Sequence, residues 1–341
     1  MDLLPTPEQD EIVSTVRSQL DKDFDLNALS ALDGAPSVVD RALWRRCAEL
    51  GWFGLGLDES LGGVGYTLAE EALLFAELGA HATPGPFLAT VLGARLAAAT
   101  GAADLAAELL GGDRVVVLAE PEGIGAVGAE VSGTVRITDH GDADLLLVVG
   151  AEGVAIVDAS AADVVAQPSL DPLVPLGVAN LDRVPAVVHA VDADAAALHL
   201  RGTVLVAAEL AGIAAATAAQ STEYAKDREQ FGRPIGSFQA VKHRCADMAV
   251  RAEAATSLVR YASLAVADGR PDGPFHADAA RTVAGDAALA NSQINVQNHG
   301  GIGFTWEHTA HRYVNRTQFL LRTLGDRRTH LAALLAEPAP A

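Results

Sequence analysis

The fold is decided by one stretch of the chain, residues 227–241, which reads DREQFGRPIGSFQAV. One helical pattern ends there, the chain turns through Gly232 and Pro234, and a second helical pattern begins, since glycine and proline interrupt helices. Arg228 stands at the helix end beside this turn, where its guanidinium group can pair with two phosphate oxygens. An isolated arginine at such a place more often only balances the helix dipole, so the interpretation depends on the residues around it.

The stretch as a whole resembles the signature of the acyl-CoA dehydrogenase family, Arg-x-x-Phe-Gly-x-x-Ile/Leu-x-x-Phe-Gln. A second stretch, residues 297–304 (QNHGGIGF), is similar to the same family's Gln-x-x-Gly-Gly-x-Gly-Tyr/Phe segment and follows at a matching distance. Its glycines let the backbone approach a ligand, although a Gly-Gly-x-Gly turn alone would more often only join two helices. The N-terminal half resembles the family's helical entry region more loosely, so the resemblance spans nearly the whole chain.

The resemblance implies that these two stretches bind FAD across a subunit interface, and it therefore implies an oligomer. It also implies an acyl-CoA thioester as the substrate and oxidation between its Cα and Cβ atoms as the reaction. The residues to which it assigns cofactor binding are Arg228, Gln230, Phe231, Gln239, Gln297, Gly300 and Gly301.

The spacing of apolar residues divides the chain into three domains. Residues 1–112 show helical spacing, residues 113–192 contain short β-branched runs, and residues 193–341 return to long helical patterns. The β-branched runs predict strands at residues 115–118, 131–138, 145–149, 154–157 and 187–191. The predicted fold class is mostly α with a small β domain. The resemblance implies an N-terminal helical domain, a reduced middle β domain and a C-terminal four-helix bundle that clasps FAD and forms the oligomer.

Composition argues against several classes of function. The formal net charge of −20 argues against a nucleic-acid partner, which would require clustered Lys and Arg. Cys47 and Cys245 are the only cysteines and have no partner at metal-ligand spacing, so neither a disulfide nor a metal site is expected. The acidic N-terminus does not resemble a signal peptide, and no run of about 18 uninterrupted apolar residues predicts membrane insertion. A cytoplasmic protein is expected.

The predicted β domain departs from the family pattern. The family has a Thr-Glu-Pro strand followed by a Gly-Ser-Asp loop, and a Gly-x-Lys-x-Trp-Ile-Thr strand against the flavin ring. Here residues 119–121 read Ala-Glu-Pro with no Gly-Ser-Asp after them, and residues 132–138, SGTVRIT, contain no aromatic residue. We therefore expect the face that binds the flavin ring to be incomplete.

The catalytic base of the family is also missing, so no catalytic residue is assigned to this chain. Removal of the α-proton of a thioester requires a carboxylate within hydrogen-bond reach. The family places this glutamate at one of two positions, which Leu324 and Gly202 occupy here, and neither residue can accept a proton. Asp326 and Glu209 lie near those positions and are possible substitutes, although a surface salt bridge is the more ordinary role for Asp326. Glu307 is expected to cap or pair locally.

These features favour a subunit of an α2β2 heterotetramer, in which a paralogous acyl-CoA dehydrogenase subunit binds the flavin ring and supplies the glutamate. The arrangement resembles the heteromeric enzymes of actinobacterial steroid side-chain degradation, which suggests a bulky steroid acyl-CoA as the substrate. Two alternatives stay open. The chain could be a self-sufficient homo-oligomer that uses a displaced carboxylate, or a flavin-free scaffold that retains only the fold.

Overall fold

The structure is a computed structural model that describes residues 4–123 and 125–337. These residues form two compact units, each assembled from separate segments of the chain. The helical unit comprises the residues up to Ser30, Ala72–Thr83 and the residues from Thr203 onward, whereas the sheet unit comprises Ala31–Glu71 and Pro84–Gly202. The domain boundaries at residues 112 and 192 stay predictions.

Several helices of the described residues begin at a capping side chain, including those that follow Thr6, Asp40 and Asp326. Thr6 and Gln9 form a reciprocal capping box at the first helix. The breaks predicted around Gly232 and Gly300 both separate helices, which confirms the helical pattern of the C-terminal half. The helices are α1 (Pro7–Asp23), α2 (Arg41–Glu49), α3 (Leu68–Ala80), α4 (Phe87–Ala99), α5 (Ala103–Leu110), α6 (Asp192–Asp227), α7 (Gln239–Ala267), α8 (Gly273–His299), α9 (Ala310–Leu320) and α10 (Arg327–Ala336).

Within the helical unit, α6 and the end of α3 touch along their backbones because small residues lie between them. A Cβ atom added to Gly212 would lie 1.9 Å from the carbonyl oxygen of Ala76, and one added to Gly79 would lie 1.9 Å from that of Glu209. Larger side chains would force the two helices apart. By length and composition α6 could cross a membrane, a test that core helices also pass, and 78% of its apolar window is buried in the protein.

The sheet unit contains one mixed sheet, which has eight strands in the described residues. Its strand order is β6-β7-β3-β1-β4-β5-β8, and β2 pairs with β3. The pairing of β1 with β4 is parallel, and the remaining pairings are antiparallel. The strands are β1 (Val116–Pro121), β2 (Ala126–Val127), β3 (Glu130–Thr138), β4 (Leu145–Val149), β5 (Gly153–Asp158), β6 (Val165–Gln167), β7 (Leu176–Pro185) and β8 (Val188–Val191).

Each of the five predicted strands overlaps an observed one, but the prediction missed β2, β6 and β7. The longest of the three, β7, was overlooked because Gly177, Asn180 and Asp182 interrupt its apolar character. The buried side chains of β7, including Ala179 and Leu181, alternate with more exposed ones, so its sequence does carry the two-residue alternation of a strand, although weakly. β7 pairs with β3 over most of its length, and it therefore completes the sheet around the strand that the family uses against the flavin ring.

Candidate functional site

The first of the two predicted cofactor segments forms a tight hairpin after α6. Its strands are β9 (Glu229–Gln230) and β10 (Arg233–Pro234), and Gln230 pairs with Arg233. Phe231 and Gly232 between them have φ values of 54° and 77°, and type I′ hairpin turns require positive φ at both central positions. A positive φ is unfavourable for a residue as bulky as phenylalanine. The hairpin nevertheless holds the Phe231 side chain 91% exposed.

Arg228 and Gln239 flank this hairpin and are both exposed. Within the part of the chain that the structure describes, the Arg228 side chain makes no hydrogen bond or ion pair, although its backbone bonds to Tyr224 and Ile235. Gln239 is the first residue of α7, and among the described residues no side chain caps that helix end. Free N–H groups at a helix N-terminus and a nearby guanidinium favour a bound anion. This end of the helical unit therefore has the chemistry to hold a pyrophosphate.

The second predicted segment lies at the end of α8. Gly300 has φ 64° and ψ −141°, which glycine tolerates and other residues do not. A Cβ atom added to Gly300 or to Gly301 would meet nothing within 4 Å, so the backbone there is open to a ligand. Gln297 is exposed on the last turn of α8. The exposed apolar side chains Phe304 and Trp306 follow directly.

An aromatic stack joins the two segments. The rings of Tyr224, on the last turn of α6, and His299, which precedes Gly300, stack with their centroids 4.1 Å apart. His308 also packs against His299, with ring centroids 4.4 Å apart. Burial lowers the pKa of both histidines, and in His308 the neighbouring imidazole of His299 lowers it further. The stack thus connects the last turn of α6, which leads into the first segment, with the end of α8, where the second segment lies. The sequence motifs did not point to Tyr224 or His308 as part of this site.

At the first base position, Leu324 is only 3% exposed and has a φ of 56°. The buried guanidinium of Arg281 holds this turn, because its Nη2 atom donates to the carbonyl oxygens of Leu320 at 2.6 Å, Thr323 at 3.3 Å and Gly325 at 3.5 Å. The turn is therefore well fixed, but it presents a hydrocarbon side chain where the family has a base.

The carboxylates that could substitute for the base have structural partners instead. Asp326 caps α10 by accepting hydrogen bonds from the backbone N–H and the hydroxyl of Thr329, both at 2.9 Å, and these bonds lower its pKa. Glu209 lies 3.8 Å from the Nη1 atom of the buried Arg316. A hydrogen bond from Thr305 lowers the pKa of Glu307. A lowered pKa makes a carboxylate a weaker proton acceptor at neutral pH.

The second base position, Gly202, follows Arg201 in α6. The Nε and Nη2 atoms of Arg201 both lie 2.7 Å from the Oε2 atom of Glu71, a carboxylate that is 1% exposed. This position therefore has no free carboxylate, and an ion pair lies beside it. Among the residues that the structure describes, no group of three or more His, Cys, Asp or Glu side chains could hold a metal ion.

An ion pair also occupies the face of the sheet that the family uses for the flavin ring. Arg136 on β3 lies directly opposite Glu120 on β1, and its Nη2 atom donates to the Oε2 atom of Glu120 at 2.9 Å. Arg136 stands immediately before Ile137 and Thr138, where the family pattern has tryptophan. The Thr138 hydroxyl is buried and donates to the carbonyl oxygen of Leu118 at 3.4 Å.

The two turns of the helical unit therefore fit the phosphates of FAD, whereas the sheet unit does not fit its isoalloxazine ring. The open turn at Gly300 and Gly301, together with the exposed Arg228, suits the phosphates of a dinucleotide. The sheet offers the half-buried Arg136–Glu120 pair instead of an apolar face for an isoalloxazine ring. The ring-binding role is the part of the family pattern that the structure does not support.

Along the chain, the mixed sheet lies between two helical regions, and the protein carries both an Arg-x-x-Phe-Gly turn and a Gln-x-x-Gly-Gly turn. Together these features define an oxidoreductase of the acyl-CoA dehydrogenase type. The models of the acyl-CoA dehydrogenase N-terminal and C-terminal domains match residues 6–112 and 197–335. The chain belongs to the acyl-CoA dehydrogenase family, which confirms the predicted family and fold class.

Individual relatives agree with this assignment. The acyl-CoA dehydrogenase IpdE2 of Mycobacterium tuberculosis is 34% identical over 341 residues, covering 98% of each chain. Among solved structures, the Tcur3481-Tcur3483 steroid ACAD G363A variant superimposes with a TM-score of 0.84 at 29% identity, over 96% of this chain and 97% of that one. The ChsE4-ChsE5 complex from Mycobacterium tuberculosis gives a TM-score of 0.87 at 26% identity over the whole of both chains.

Proposed function

We propose that this chain is the subunit of a heteromeric, FAD-dependent acyl-CoA dehydrogenase that clasps the cofactor's phosphates but lacks the catalytic base. The observation that carries the proposal is that the chain keeps residues suited to the cofactor's phosphates but lacks those needed for the flavin ring and the base. Arg228 and Gly301 are exposed and the backbone at Gly300 is open, which suits a dinucleotide, whereas Arg136 and Leu324 stand where a flavin ring and a base are required. Two solved structures of the same fold bear titles that name FAD and its reduced form FADH2, which supports a flavin cofactor.

A paralogous partner would supply the flavin-ring site and the catalytic base that this chain lacks. Two similar structures bear the names of two proteins, Tcur3481-Tcur3483 and ChsE4-ChsE5, which supports a related but different chain as the partner. The exposed side chains of Phe231, Phe304 and Trp306 supply apolar area for such an interface. In an α2β2 assembly the partner would bind the flavin ring and provide the glutamate.

The reaction proposed for the assembly is desaturation of an acyl-CoA thioester between Cα and Cβ. The name of one relative, a steroid ACAD, supports a steroid-derived acyl group. This chain's own contribution is binding and orientation, because neither Leu324 nor Gly202 can move a proton.

Flavin stoichiometry tests the proposal. The chain is purified alone and after co-expression with a paralogous partner, and bound FAD is measured spectroscopically against the concentration of each chain. We expect a colourless preparation of the single chain and one FAD for every two chains in the complex. A yellow single chain that reduces a dye with acyl-CoA would indicate the self-sufficient enzyme, and a complex without flavin would indicate a scaffold.

A further inference from the structure

A histidine side chain binds the first backbone N–H group of α9. The Nδ1 atom of His308 accepts from the N–H of Ala310, the first residue of the helix, at 3.1 Å. Thr309 stands at the N-cap position, but its hydroxyl accepts from the side chain of Gln220 at 3.2 Å instead of capping the helix. The first N–H groups of a helix have no partner within the helix. His308 therefore supplies an acceptor that the start of α9 needs.

This acceptor exists only while the His308 ring is neutral. A ring nitrogen that accepts a hydrogen bond carries no hydrogen, so the neutral ring holds its hydrogen on Nε2. Protonation adds a hydrogen to Nδ1 and turns the acceptor into a donor, which cannot bond to the N–H of Ala310. The added charge also lies at the N-terminal end of a helix, where the helix dipole is positive. Both changes oppose the start of α9.

The ring packed against His308 is neutral and buried. The Nδ1 atom of His299 lies 2.8 Å from the carbonyl oxygen of Asn295, and because a carbonyl oxygen can only accept, this Nδ1 carries the hydrogen. His299 is 4% exposed, with the Tyr224 ring stacked on it at 4.1 Å and the His308 ring at 4.4 Å between centroids. Positive charges on two rings at this distance would repel each other.

The groups that face His308 favour its neutral form. Burial lowers the pKa of His308, and the imidazoles of His299 on α8 and His311 on α9 lower it further. Among the described residues, no carboxylate acts on the pKa of either His299 or His308. The carboxylates on the adjoining elements have other partners: Glu307 accepts from Thr305, and Glu223 on α6 pairs with Lys226 at 2.6 Å.

Backbone bonds connect the start of α9 to the cofactor turn, by which we mean Gly300 and Gly301. The N–H of Thr305 donates to the carbonyl oxygen of Ile302 at 3.0 Å, and the N–H of His308 donates to the carbonyl oxygen of Thr305 at 3.4 Å. The His308 ring also packs against His299, which directly precedes Gly300. One connected set of contacts thus holds both the start of α9 and the cofactor turn.

We propose that His308 is a proton-sensitive cap, which holds the cofactor turn in place at neutral pH and releases it on acidification. The inference rests on the proposed function, because that function assigns the turn to the phosphates of FAD. The sign follows from the lowered pKa of His308 in the folded chain. Its contribution to stability is complete above about pH 6.5, the ordinary histidine value, and is lost as the pH falls through the lower folded value.

The test measures the Kd of FAD for the assembled complex at about pH 7.5 and about pH 5.5, on either side of the ordinary histidine pKa. We expect the wild-type Kd to be roughly 2- to 30-fold higher at the lower pH, the range for loss of a helix cap. His308→Asn keeps an acceptor oxygen that does not titrate, so its ratio of the two Kd values should fall towards one. His308→Leu removes the acceptor at both pH values, so its Kd should exceed that of His308→Asn already at the higher pH.

A control variant and a flavin-free measurement complete the test. His189→Asn removes an exposed histidine of the sheet unit and should keep the wild-type ratio. In urea, the unfolding midpoint of the single chain should fall more on acidification in the wild type than in His308→Asn. An equal pH dependence of the wild type and His308→Asn, in either measurement, would overturn the inference. If the wild-type complex binds no FAD at the higher pH, the proposed function fails, and the urea comparison then decides whether His308 is a proton-sensitive cap.

Discussion

Replacing Arg228 with alanine should separate cofactor retention from folding. The Arg228 side chain is exposed and, in the part of the chain described by the structure, bonds to no other side chain, so its loss should change the free energy of unfolding by less than about 0.5 kcal/mol. If the guanidinium binds the pyrophosphate, the substitution removes hydrogen bonds worth about 1.5–3 kcal/mol. This corresponds to a rise in the Kd of FAD of roughly 10- to 150-fold.

The assay is the dissociation of FAD from the purified complex, followed by the rise in flavin fluorescence on dilution, with unfolding in urea measured on the same preparation. Arg233→Ala is the matched control, because Arg233 lies in the same hairpin and has the same charge, but its guanidinium stacks over the Phe238 ring at 4.1 Å. An unchanged flavin Kd in Arg228→Ala, or an equal loss in both variants, would refute a specific pyrophosphate contact.

Three further substitutions test separate parts of the structure. Arg201→Met leaves Glu71 buried without its main partner and should lower the free energy of unfolding by about 3–5 kcal/mol in urea titrations. Burial raises the pKa of Tyr313 to about 12, so its share of stability is complete below about pH 10 and is lost as the pH rises towards 12. Tyr313→Phe should therefore show a shallower alkaline fall of the urea midpoint than the wild type. Asp326→Asn keeps a good helix cap and should leave stability and the activity of the complex unchanged, whereas loss of activity alone would support the displaced-base alternative.

The sequence predicted the parts of the fold that depend on neighbours along the chain. Glycines at 232 and 300 interrupt strongly periodic helices, and the breaks occur where local backbone preference places them. β7 was missed because its half-exposed alternation is weak and because it is held by pairing with β3, whose residues lie far away along the chain. Sheet partners that are distant in sequence leave little local signal.

In the candidate site, too, the sequence predicted what depends on local motifs and missed what depends on contacts between distant parts of the chain. The sequence identified Leu324 as a base position without a base, but Arg281, which fixes that turn, comes from another helix and has no sequence motif of its own. The Arg136–Glu120 pair also depends on strand register, since the two residues are adjacent only because β1 and β3 align them. The sequence indicated the missing aromatic residue but not the ion pair that replaced it.

Two residues with unfavourable backbone geometry distinguish a cofactor-binding subunit from an inert scaffold. Leu324 and Phe231 both have positive φ, which costs roughly 1–3 kcal/mol for a residue other than glycine. Burial of the Leu324 side chain and the bonds from Arg281 offset this cost within the chain. Phe231 gains little, because it is 91% exposed and its ring contact is an edge-on approach to Phe238 at 6.1 Å. A scaffold that keeps only its fold gains nothing from a strained, exposed phenylalanine, and so the hairpin is better explained by a ligand or partner that covers it.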